Sequence, residues 1–220
     1  LSSDQLTAMS TLQLVAMEIE DLAALDTEQL NYLSTKQIAA LTTYQVAGLT
    51  TEQIQNIGDT LLEAISASQI KSLSSDQITA LTTVQVPLLT TTQFKALTSA
   101  QFSGLSSDQV AVLTSDQLGV MTATQLSGLG TDAIAALPTL DFSASYITSA
   151  QIKGLTTDQV QALTTEQVAA LSTKQLTGAF STNMIAALTS DQVLALTSEQ
   201  LGGLTVTQLA AFDIEDVVLL

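Results

Sequence analysis

Groups able to attack a substrate or carry a proton near neutral pH are nearly missing from this sequence. Its 220 residues include no His and no Cys, and the five basic residues are Lys36, Lys71, Lys95, Lys153 and Lys174. Nucleophilic and acid–base catalysis draw on those missing types, and the abundant Ser and Thr hydroxyls have no base beside them. Carboxylates are plentiful, with 21 Asp and Glu and a formal net charge of −16. Paired acids such as Glu20 with Asp21 and Glu215 with Asp216 read as helix-start residues rather than as a glycosidase pair. The expectation is a protein that is not an enzyme and has no catalytic or cofactor-binding residues.

Most of the acids recur in one column of an eight-residue pattern, for example Asp4, Glu52, Asp76, Asp108, Asp158, Glu166 and Asp191. Calcium accepts such oxygen ligands at loose geometry. However, nothing resembles an EF-hand loop or a Gly-Gly-x-Gly-x-Asp nonapeptide, and one carboxylate per octad is sparse for a site within one chain. Calcium therefore fits a bridge between chains or ends better than an internal site, and no metal ligand is assigned. A second column carries hydroxyls, at Thr43, Thr51, Thr83, Thr91, Ser107, Ser115, Thr157 and Thr165. Such a row could bond sugar or ordered water, or carry O-linked glycan; its plainer use is a polar turn that starts a helix. Nucleic acid is excluded as a partner, because little is present to neutralise phosphate.

These columns are positioned by one repeated unit. Leu155 to Leu171 reads Leu-Thr-Thr-Asp-Gln-Val-Gln-Ala-Leu-Thr-Thr-Glu-Gln-Val-Ala-Ala-Leu. With Thr156 as N-cap, Gln159 falls at N3, and the two close a capping box. Leu155 and Val160 then stand at N′ and N4, the positions of a hydrophobic staple. Asp158 at N2 faces the positive end of the helix. The same start signals return eight residues later, so each octad begins a new helix. One continuous helix is rejected, because eight residues at roughly 100° each would carry the apolar stripe around the surface. The Thr pairs would also depress its stability repeatedly. A β-solenoid is the alternative, since Thr, Val and Leu suit strands; the Ala-rich second half and the Gln argue for helix. The expected fold is all-α, a solenoid of short capped helices with one per octad.

The whole chain, residues 1–220, reads as a single solenoid of about 27 octads. Its anchors run Leu1, Met9, Met17, Leu25 and onward by eight to Leu137. Two units break step: residues 137–146 form a ten-residue unit and residues 171–179 a nine-residue one. Both are expected to bulge, with nearby aromatics filling the gap. Pro87 removes a backbone donor inside its octad, so that helix should be distorted or very short. Met17 to Leu22 and Phe212 to Val217 replace the Thr/Gln box with acids that still suit a cap. Ala or Gly before each anchor, as at Gly104, Gly154 and Gly203, would allow close approach between helices or serve as a C-cap.

The absence of Cys rules out a disulfide framework. No apolar run approaches the roughly 20 residues that span a bilayer, so membrane insertion is not expected. The start at Leu1 without Met and the end at Leu220, both anchor positions, suggest an excised stretch of something longer or a mature product. The octads Leu-Thr-Thr-Asp-Gln-Val-Gln-Ala and Leu-Thr-Thr-Glu-Gln-Val-Ala-Ala resemble tracts of very large secreted bacterial repeat proteins described as adhesin-like or haemagglutinin-like. That resemblance covers nearly the whole chain and implies an extracellular or cell-surface setting with a spacer, adhesive or filament-forming role.

The leading functional expectation is a structural rod, stalk or filament segment that associates head to tail. Leu1, Leu6 and Met9 at one end would meet Phe212, Val217 and Leu220 at the other. The alternative is a binding module recognising carbohydrate, calcium or a cell surface through its Ser/Thr and acidic rows. The number of octads per superhelical turn cannot be read from the columns.

Overall fold

A computed structural model describes residues 1–139 and 146–212. It divides into two compact units, Leu1–Leu105 and Ser106–Leu220. Both are coils of short helices, and no strand occurs among the described residues.

The octad at Thr156 shows why each helix starts and stops. The Thr156 hydroxyl accepts a hydrogen bond from the Gln159 backbone N–H at 3.2 Å, and Gln159 Oε1 accepts from the Thr156 N–H at 2.9 Å. Donors that a helix N-terminus leaves unpaired are thus satisfied inside the octad. The helix Thr157–Ala162 ends when Leu163 turns to φ −58°, ψ 138°. Leu163 donates its N–H to Val160 O at 3.2 Å and buries its side chain. The next residue, Thr164, caps the following helix, Thr165–Ala170. No linker is needed, because one residue ends one helix as the next begins another.

Three positions of the octad are buried in most units: the anchor, the N4 aliphatic and the Gln between them in register, with exceptions such as Leu1, Gln5, Gln13 and Leu209. Each helix packs on the third along. Thr43–Ala47 contacts Ala67–Ser72 in the first unit, and Thr131–Ala135 contacts Thr157–Ala162 in the second. An isolated helix of five or six residues has no stability in water. These exist because each octad buries two aliphatic side chains, worth about 1.5–3 kcal/mol apiece, against its neighbours.

The exceptions have local causes. Pro87 reduces its octad to the 3₁₀ turn Val86–Leu88. Glu18 stands at the N-cap of Ile19–Ala23 but makes no side-chain cap, so the acidic box is not a working substitute there. Its counterpart from residue 213 onward lies outside the described residues. In the nine-residue unit the extra residue does not bulge: it extends the helix Thr173–Ala179 by one, burying Ala179, and Phe180 takes the anchor place. In the ten-residue unit residues 140–145, including Phe142, lie outside the described residues, and Tyr146 is exposed rather than filling a gap.

The glycines before the anchors act by close approach and not as left-handed caps. Gly48 and Gly104 cap their helices with right-handed backbone, at φ −86° and −85°. A Cβ on Gly154 would stand 2.5 Å from the Ala123 carbonyl oxygen, whereas one on Gly202 meets nothing within 4 Å. Overpacking against backbone costs about 1–3 kcal/mol, while Gly→Ala inside an open helix gains about 0.5–1 kcal/mol. Urea unfolding is therefore expected to show Gly154→Ala less stable, and Gly202→Ala more stable, than the parent. Equal midpoints for the two would refute the close-approach role.

Candidate functional site

The most regular polar feature of the molecule is a column of buried glutamines. Gln93 shows the arrangement in the first unit. Its Oε1 accepts from the Thr90 N–H at 2.8 Å, while its Nε2 donates to Leu62 O at 2.8 Å and Ile65 O at 2.7 Å. One amide therefore caps its own helix and ties it to the end of another. The acceptors lie 31 and 28 residues back. Twenty-eight residues are three octads plus the four positions from an anchor to the Gln of its own octad, in keeping with each helix packing on the third along. Gln37, Gln53, Gln69 and Gln101 repeat the same pair of bonds.

The second unit keeps these rungs across its irregular octads. Gln151 reaches Leu118 O and Met121 O, 33 and 30 residues back, across the ten-residue unit. Gln192 reaches Val160 O and Leu163 O, 32 and 29 residues back, across the nine-residue unit. The offset grows by the number of inserted residues, so the insertions are absorbed between rungs. Gln167 is the most enclosed example, at 0 % exposure, with Nε2 donating to Ile134 O, Ala135 O and Leu137 O at 3.0, 3.2 and 2.8 Å. Among the described residues no buried side-chain nitrogen or oxygen lacks a partner.

Where the glutamine is replaced, the molecule adapts in different ways. Leu61 occupies the position in the octad of Gly58, and an asparagine takes over. Asn31 Oδ1 accepts from the Gly58 N–H at 2.7 Å, and its Nδ2 donates to Asn56 O at 2.8 Å. Met184 occupies it in the octad of Phe180. A shallow groove lined by Lys153, Thr157, Phe180, Asn183 and Met184 lies beside it.

The acidic column points to solvent at Asp4, Glu52, Asp76, Asp108, Asp158, Glu166 and Asp191, and the neighbouring hydroxyl column is exposed or half-buried. Among the described residues no three carboxylates gather within reach of one metal ion. Glu166 is held below the usual carboxylate range, chiefly by its own backbone N–H and then by the Thr164 and Thr165 hydroxyls. Such a shift stabilises the fold above the ordinary carboxylate pKa and is lost as pH falls through the lowered value. Tyr32 is raised, mainly by its hydrogen bond to Glu28. Both are helix-surface effects of one residue on its neighbour, with no convergence on a cleft.

The end residues separate into distinct environments. Leu1 is 58 % exposed, Met9 half-buried, and Leu6 and Phe212 buried. Leu6 and Met9 are brought together because both carbonyls accept from Gln37 Nε2, and the Leu1 carbonyl accepts from Gln29. Val217 and Leu220 lie outside the described residues. The sequence reading missed the second bond of the glutamine. The signal was present: Glu closes a capping box as well as Gln, yet this acidic chain places no Glu at N3 of any octad. Only the amide can donate.

No helix of the described residues is long and apolar enough to cross a membrane. The sequence profile of the ALTTAQ repeat matches residues 14–51, 62–91, 89–123, 146–173 and 178–206, together well over half of the chain. A comparison with curated proteins finds no match.

Proposed function

The chain belongs to the ALTTAQ repeat family, and from that premise we propose that it serves as a structural repeat protein outside the cell, a rod, stalk or filament segment at a bacterial surface. The observation that carries this reading is the glutamine column. A row of buried amides is a natural place to look for ligand recognition, but here the amides bond the coil's own carbonyls. The most regular polar group of the octad is thereby committed to cohesion between turns. Repeat proteins draw stability from such nearest-neighbour terms, and a uniform set of them is what a load-bearing spacer requires. The likeness of the octads to tracts of secreted repeat proteins supports the extracellular setting. Head-to-tail association through Leu1, Leu6 and Met9 of one copy and Phe212, Val217 and Leu220 of another belongs to the same reading.

A second reading is favoured by the outward acidic and hydroxyl rows, which would suit calcium, carbohydrate or a cell surface. Electron microscopy of the purified protein across a concentration series, with and without calcium, separates the two. The scaffold reading expects elongated particles that lengthen with concentration and are indifferent to calcium. A saturable rise in Tm with calcium or a glycan, without lengthening, would overturn it in favour of the surface rows.

A further inference from the structure

One octad inside the second unit stands in the column without a glutamine. On its far side, Gln192 and Gln200 each donate Nε2 to two carbonyls 32 and 29 residues back, and each accepts at Oε1 from the N–H of its own cap residue, Thr189 or Thr197. The same offsets counted back from Met184 fall on Ile152 and Leu155. A thioether supplies neither the donor nor the oxygen. Among the described residues no side chain donates to the Ile152 or Leu155 carbonyl, and nothing accepts from the Ser181 N–H, whose octad has a cap but no capping box. The octad of Leu61 differs, because Asn31 takes the Gly58 N–H there. At Met184 the surface instead opens as a groove of about 580 Å³ lined by Leu155, Ser181 and Met184, with Lys153, Thr157 and Asn183 around them. A groove of about 480 Å³ lies at Leu171 and Gln200, but Gln200 itself takes the Leu171 carbonyl at 2.7 Å.

We propose that this groove binds the side-chain amide of a glutamine presented by a partner polypeptide. The incoming Nε2 donates to the Ile152 and Leu155 carbonyls, the incoming Oε1 accepts from the Ser181 N–H, and the methylenes of the ligand lie along Met184. The neighbouring octads supply the template, since Gln192 makes this set of bonds at 2.8, 2.6 and 2.8 Å. The two carbonyls decide the class of ligand. They require a donor with two N–H groups, which refuses a carboxylate or a phosphate, and the N–H beside them requires an acceptor, which refuses an ammonium group. A primary amide is both at once. Gln175 and Gln192, the column glutamines on either side, already have their amides bonded within the coil, so the occupant comes from another polypeptide. Lys153 is the one charged residue of the lining, and a neutral or acidic segment therefore fits better than a basic one.

The test is an NMR titration of the full chain with acetyl-Ala-Gln-Ala-N-methylamide, whose only primary amide is the glutamine side chain, and with its methionine counterpart. Saturating shifts are expected at the Ser181 N–H and the Met184 methyl group, with a Kd in the millimolar range because one amide makes few contacts. The methionine peptide should bind at least about tenfold more weakly, having lost the hydrogen bonds. Met184→Gln puts the amide into the chain itself, so this variant should have a Tm at or above the parent's and show no saturating shift. Met184→Leu keeps the groove apolar and without an amide, and should bind the glutamine peptide as the parent does. No saturating shift in the parent at about 10 mM peptide overturns the proposal. Equal binding of the two peptides overturns it as well, by making the groove an apolar surface without amide recognition. Undiminished binding by Met184→Gln, or loss of binding in a folded Met184→Leu, would likewise show that the peptide does not occupy the glutamine position.

Discussion

Replacing Gln167 with leucine is expected to destabilise its unit by roughly 2–6 kcal/mol, about 1–3 kcal/mol for each of two polar groups left unpaired. The substitution is close in size and adds apolar surface, so packing alone would predict little change. The loss comes from the partners. The Thr164 N–H no longer has Oε1 at 2.8 Å, and the Leu137 carbonyl no longer has Nε2 at 2.8 Å. The bond to the Leu137 carbonyl is buried and that to the half-buried Thr164 is part-buried, with the Gln167 side chain between them at 0 % exposure. The same change at Gln13, which is exposed, should cost far less, because water replaces the partners. Urea unfolding of the two variants provides the measurement; similar losses at both positions would show that the column is a set of caps and not of ties between turns.

Gln167→Glu sharpens the test through pH. A carboxylate there would face the Ile134 and Leu137 carbonyls without water, which favours its protonated form. Its folded-state pKa is therefore raised above its unfolded value. By linkage, stability is retained below the ordinary glutamate range, near pH 4, and is lost as pH rises through the raised value. The variant should unfold at lower urea at pH 7 than at pH 4 after subtraction of the parent's own pH dependence. A flat difference would mean that the carboxylate finds water, and that the rung is not buried.

Phe102→Ala is the second large effect, expected to cost about 3–5 kcal/mol from lost burial and the cavity left behind. Phe94 and Phe102 occupy the N4 position in successive octads, where most others have Leu, Ile or Val, and both are at 0 % exposure. Their rings meet edge to face at 5.2 Å and 83°. That geometry adds about 0.5–1.5 kcal/mol beyond area burial. A double-mutant cycle with Phe94→Ala should therefore give a coupling of this size. Additive losses would mean that the two rings fill separate spaces and that their contact contributes nothing.

Much of the local structure was legible in the residues. Thr156 with Gln159 and Thr164 with Gln167 name their helix starts, and Pro87 marks the octad that shortens to a 3₁₀ turn. What misled was chemistry whose partner lies far off in sequence. Gly104 and Gly154 carry the mark of a helix C-cap, but their small size serves contacts with Thr79 and Ala123. Glu18 has the right chemistry for a cap and makes none. The extra residue near Gly178 extends a helix, because Ala179 can be buried and Phe180 can act as anchor.

The sequence by itself determined that helices are short, where each starts, and which aliphatic residues turn inward. Caps and staples act within about five residues, so each octad states its own conformation. The tertiary structure alone decided that each helix packs on the third along, and therefore which carbonyls each glutamine meets. That spacing follows from how anchor and N4 side chains of octads about 24 to 32 residues apart settle against one another. No single octad contains that angle. The absence of Glu from the N3 column announced that a donor was needed, and the pitch of the coil supplied its acceptor.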